Sequence, residues 1–167
     1  MKKLFTLITV CLLTSIFFDY NNLYSQVEDD VVINELVVNP SAGKEYIELL
    51  VVAETVDLRN WTISDVGTRT GSVSTTEGDI TLPNSSYLQS VPRGVYIVIE
   101  LTTPTGNSSS LPEDLSLDDD TPRRLIIKTT TSGIVTNGTL DISTNENLQL
   151  YAGTRASGTL IDQVLMG

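Results

Sequence analysis

The 167 residues include no histidine and a single cysteine, Cys11. These absences exclude Ser-His-Asp and Cys-His catalysis, histidine-ligated metals and any intrachain disulfide. Basic residues are scarce too: 10 Lys and Arg stand against 21 Asp and Glu, a formal net charge of −11. Nucleic acid is held by Lys and Arg that displace counterions, so this balance disfavours it as a partner. The longest basic run is Arg123-Arg124. Alanine, the best helix former, occurs only 4 times, whereas Thr, Val and Ile occur 22, 16 and 13 times, a bias toward pleated sheet.

Met1-Lys2-Lys3 is a short positive segment, and Leu4 to Phe18 is an uncharged run of 15 residues followed by polar residues and a small Ser25. This three-part order predicts a secretory signal peptide over 1–25, cleaved between Ser25 and Gln26, and one domain over 26–167. The run is shorter than the roughly 20 residues that cross a bilayer, so no transmembrane span is expected after cleavage. Cys11 sits in the middle of the run and leaves with it. Loss of Lys2, Lys3 and Asp19 brings the remaining 142 residues to 8 basic and 20 acidic side chains, a net charge of −12. A chain of that length buries about two thirds of its surface and can be stable on its core alone. The product is expected to be secreted or held at the cell surface.

Short apolar runs recur between clusters of Gly, Pro, Asn, Ser and Asp, at 31–38, 45–52, 60–65, 79–82, 94–101, 124–129, 139–143, 147–152 and 159–166. Nine such strands predict an all-β sandwich or barrel. Asn39 to Gly43 is of hairpin length, Asn137-Gly138 is a tight-turn dipeptide, and Gly153 to Gly158 joins the last two strands. Ile47, Leu49 and Val51 alternate with Tyr46, Glu48 and Leu50, which directs the first set into the core. The longest irregular stretch, 102–123, is the kind of loop that is functional or mobile.

Ile33-Asn34-Glu35-Leu36, then Asn39-Pro40, then Glu45-Tyr46-Ile47-Glu48-Leu49, then Val56-Asp57-Leu58-Arg59-Asn60-Trp61-Thr62-Ile63-Ser64-Asp65 follow one another in the order of a lamin tail domain. The segment 91–99, Asn147 to Tyr151 and Leu160-Ile161-Asp162 resemble later strands of that family. The resemblance covers about Val31 to Gly167 and is most specific from Ile33 to Asp65. It implies an immunoglobulin-like β-sandwich of about nine strands without catalytic activity. Bacterial domains of this type are similar to accessory modules of exported proteins, which attach a neighbouring domain to a surface polymer or a protein. The apolar Leu50-Val51-Val52 departs from the family, where an Asn-containing turn is common, and the acid balance argues against a chromatin-like role.

Individual residues each have a functional and a plain reading. Trp61 and Tyr87, Tyr96 and Tyr151 could stack on sugar rings, but with Leu58 and Ile63 beside it Trp61 reads as a core anchor. Glu35 and Glu48 lie in apolar strands. They could form a glycosidase pair, yet accepting backbone hydrogen bonds or pairing with Lys44, Arg59 or Arg124 is the plainer expectation. Glu113, Asp114, Asp118, Asp119 and Asp120 form the densest acidic cluster, and hard oxygen ligands on one loop make them a calcium candidate. No D-x-D-x-D-G loop frames them, so the signal is a composition and not a motif. The N-glycosylation patterns at Asn60, Asn84, Asn107 and Asn137 are expected by chance in a Thr- and Ser-rich chain.

The leading expectation is therefore a non-catalytic exported lamin-tail-like module that attaches through strand edges or end loops, chiefly 102–123. The alternative is a carbohydrate-binding sandwich, possibly calcium-stabilised, and an enzyme ranks third.

Overall fold

The computed structural model describes residues 29–37, 45–65, 78–101, 112–117, 123–140, 142 and 147–166. The leader expected over 1–25 and the turn at 39–43 lie outside these described residues. Eleven strands and one 3-10 turn make up the regular structure: β1 Val31–Val37, β2 Glu45–Val51, β3 Thr55–Val56, β4 Thr62–Asp65, β5 Asp79–Thr81, the turn Ser86–Leu88, β6 Val91–Pro92, β7 Tyr96–Leu101, β8 Arg124–Lys128, β9 Val135–Asn137, β10 Asn147–Ala152 and β11 Thr159–Leu165. No helix among the described residues is long and apolar enough to cross a membrane. One sheet has the order β1-β2-β7-β8, a second β11-β10-β4-β5-β9, and β3 pairs with β6. The all-β sandwich read from the sequence is the fold.

Alternation explains why these strands face one another. On β2, Ile47, Leu49 and Val51 are at most 1% exposed, while Tyr46, Glu48 and Leu50 between them are half-buried. The same period places Ile97 and Ile99 of β7 and Leu125 and Ile127 of β8 on the inner face. Ile63, Ile80, Leu148 and Leu150 meet them from the second sheet. Full burial of each such side chain contributes about 1.5–3 kcal/mol, so this shared interior supplies the stability that no disulfide provides.

Four details differ from the sequence reading. The short pair β3–β6 was not expected, because two residues are too few to show a period. Of the run expected at 139–143, residues 141 and 143 lie outside the described residues; Leu140 and Ile142 are buried outside any strand, and the preceding β9 is an edge strand. The strand expected over 60–65 begins only at Thr62, since Asn60 adopts a left-handed conformation, φ 61°. Finally, β7 and β8 run parallel. Parallel neighbours need a crossover of a dozen or more residues, which gives the long stretch 102–123 a topological reason to exist.

The sheets are tied at opposite margins. Asp162 on β11 accepts a hydrogen bond from the Ile33 N–H of β1 at 2.6 Å, beside a bulge at Asn34, so the two edge strands are joined across the layers. At the other margin the backbone of Asp114 donates to Ile126 (3.0 Å) and accepts from it (2.7 Å), capping the free edge of β8. Such cover removes an exposed ladder that would otherwise pair with another chain.

Gly78 lies against the chain at Thr139 and Leu140, where an added Cβ would come within 2.2 Å of the Leu140 backbone nitrogen. Backbone cannot yield as a flexible side chain does. Gly78→Ala is expected to lower unfolding free energy by about 1–3 kcal/mol or more in a urea titration, with Gly94→Ala as a comparison at a site open in space but left-handed in φ.

Candidate functional site

Four segments far apart in sequence meet where the chain passes from β8 in one sheet to β9 in the other. Asn60 arrives from the turn before β4. Asn84, Ser85 and Tyr87 come from the segment after β5, Glu113 and Leu115 from the strip along β8, and Thr131 from the β8–β9 turn. Between them lies a cleft of about 730 Å³, within the size range that takes small ligands.

Each wall is held by a local device. Asp57 makes a turn by accepting the Arg59 N–H at 3.1 Å, and its carboxylate also receives the Arg59 guanidinium at 2.8 and 2.5 Å. The hydrogen bond from Arg59 holds the Asp57 carboxyl below the usual carboxylate range, against an opposing effect of burial. This turn delivers Asn60 in its left-handed conformation, which Asn tolerates better than most residues. The Asn60 N–H then donates to the Leu82 carbonyl at 3.2 Å, and the Leu82 N–H to the Trp61 carbonyl at 2.8 Å. Trp61 itself is 2% exposed and anchors the core. Gly133 has φ +86°, which favours glycine, and a Cβ there would stand 3.0 Å from the Pro83 side chain, a tight contact where the β8–β9 turn packs on Pro83.

Thr131 links the wall to the frame. Its hydroxyl accepts the Lys128 N–H at 2.9 Å and donates to Glu113 Oε1. Glu113 is thereby oriented, and it is the one charged side chain among the described lining residues. The phenolic oxygen of Tyr87 is shut off from solvent and has no hydrogen-bond partner among the described residues. Leaving a buried hydroxyl unmet costs about 1–3 kcal/mol, a cost normally avoided. Burial first, and the Glu113 charge second, push the Tyr87 phenol above its ordinary value. A raised acid is favoured in its neutral form by the fold, so its contribution to stability is full below the unfolded pKa and is lost as the pH climbs through the folded one.

The structure separates the residues singled out in the sequence. Of the calcium candidates, Glu113 faces the cleft and Asp114 caps the Ser116 N–H at 3.0 Å, while Asp118, Asp119 and Asp120 lie outside the described residues. Among the described residues no three acidic, histidine or cysteine side chains are grouped to hold a metal. Glu35 and Glu48 stand opposite each other on the outer face of β1 and β2. Glu48 accepts from Asn34 Nδ2 at 2.6 Å, and Tyr46 bonds Glu35. The expected pairing with Arg59 is corrected, because Arg59 is engaged two residues away by Asp57. Tyr96 is half-buried on the outer face of β7, and Tyr151 donates to Gln149 Oε1 at 2.5 Å on the outer face of β10.

Comparison of the chain with protein-family models, curated proteins and solved structures finds no match. The lamin-tail resemblance therefore stands on its motif residues. Sequence reasoning had noted Asn60, Asn84, Tyr87 and Glu113 for separate reasons and passed over Thr131. No spacing rule connects them, since their proximity depends on how β4, β5 and β8 are ordered.

Glu113→Gln removes the charge but keeps an acceptor for Thr131. It should lower the Tyr87 pKa while leaving it above 10.0, because burial, the larger cause, remains. The shift is read by NMR titration of the Tyr87 ring carbon, assigned by Tyr87→Phe.

Proposed function

We propose that the chain is a non-catalytic, exported attachment module of lamin-tail type that binds its partner in the cleft at the β8–β9 crossing. The observation that carries this reading is the convergence of Asn60, Asn84, Tyr87, Glu113 and Thr131, from four separate connections, on one open cleft. The connections that line it are held by local hydrogen bonds, Thr131 to Glu113 and the Arg59 N–H to Asp57, which suits recognition of a fixed partner. The lamin-tail-like motif from Ile33 to Asp65 supports a role in attachment, and the leader expected from the sequence over 1–25 supports a secreted or cell-surface location. The partner is a surface polymer or a protein. A carbohydrate-binding role is favoured within this reading by the amide and hydroxyl character of the cleft wall.

Washed cell-envelope material provides the test. The purified chain should sediment with it saturably, and Asn84→Ala should reduce binding about fivefold, the effect of one lost hydrogen bond. Equal sedimentation of the two proteins would place attachment elsewhere on the fold. Polysaccharide hydrolysis that disappears in Glu113→Gln would replace attachment with catalysis.

A further inference from the structure

We infer that the cleft takes a neutral, hydroxyl-rich ligand, a sugar unit of a glycan, which is held by the Asn60 and Asn84 amides and the Glu113 carboxylate. This inference rests on the binding reading above and gives that site a ligand class.

Charge narrows the choice first. Glu113 is the one charged side chain among the described lining residues, and the chain carries a net charge of −11. Phosphate, sulfate and acidic sugars would meet a like charge and no cation among the described lining residues, which disfavours anionic ligands.

Hydrogen-bonding capacity then separates a sugar from a basic group. An ammonium or guanidinium only donates, so it can satisfy Glu113 and the amide oxygens of Asn60 and Asn84 but offers nothing to their N–H groups. A sugar hydroxyl both donates and accepts. It can give its proton to a carboxylate while accepting from an amide, and a pair of adjacent hydroxyls matches a carboxylate and an amide side by side. The wall offers this mixture, with Ser85 and Ser132 adding further hydroxyls.

Glu113 and Tyr87 supply the remaining elements. Thr131 donates to Glu113 Oε1 and so fixes the carboxylate before any ligand arrives. Preorganisation of this kind reduces the ordering cost of binding. Tyr87 contributes a half-buried aromatic side chain to the cleft wall, and such a ring can pack on the apolar face of a pyranose. Pro83 and Leu115 complete the apolar part of the wall.

The test titrates the full chain by calorimetry with three probes: a panel of neutral oligosaccharides built on β-1,4-glucan, α-1,4-glucan and mannan, an oligogalacturonate, and a decalysine peptide. A neutral oligosaccharide should bind, with little dependence on salt, and Glu113→Gln should weaken it about tenfold. Asn84→Ala should weaken it as well. Gln163→Ala, on the outer face of β11, should bind as the wild type does, and thermal melts confirm that each variant is folded. Binding of decalysine alone, lost in Glu113→Gln and in high salt, would overturn the sugar while leaving the cleft as the binding site. Binding of oligogalacturonate alone would overturn the charge argument. Failure of every probe, or binding that neither cleft variant alters, would overturn both the sugar and the cleft.

Discussion

The apposition of two apolar inner faces is the constraint on which the rest of this structure depends. Ile47, Leu49, Ile97 and Ile99 of one sheet lie against Ile63, Ile80, Leu148 and Leu150 of the other, and none is more than 2% exposed. No disulfide is available to hold the layers, so their separation and angle follow from how these side chains fill the space between them. Strand register is set by the same requirement, since a slip of one residue would turn every apolar side chain of a strand to the wrong face.

Once the inner faces are committed, function is left to the margins. The β1–β11 margin is joined by Asp162 reaching the Ile33 N–H. The opposite margin is more open: the strip around Asp114 covers the edge of β8, and the chain then crosses from β8 to β9. The cleft exists because this crossing has to bridge two layers, and its walls are the segments that enter and leave β4, β5 and β8. Thr131 belongs to both worlds, bonded to the end of β8 on one side and to Glu113 on the other.

The all-β character and most strands were legible because the signal is local. β-branched residues at period two, as from Tyr46 to Val51, report a half-buried strand without knowledge of any neighbour. Trp61 could be assigned to the core for the same reason, being flanked by Leu58 and Ile63. Elements of two residues, such as β3 and β6, carry no period and were invisible. In the run at 139–143, the described Leu140 and Ile142 are apolar because they are buried, and neither lies in a strand. The acidic loop suggested a cation, whereas the position of Glu113 beside Tyr87 and Thr131 has no sequence signature at all.

Residue type and neighbours one or two positions away sufficed for the fold class, the inner residues of β2, the acidity and the exclusion of histidine and cysteine chemistry. Only the tertiary structure decided that β8 runs parallel to β7, that Arg59 belongs to Asp57, and that Asn60, Asn84, Tyr87, Glu113 and Thr131 share one cleft. Those facts depend on strand order, and strand order is chosen by the packing of whole faces. A cleft assembled from four separate segments is a property of that packing and of no single stretch of chain.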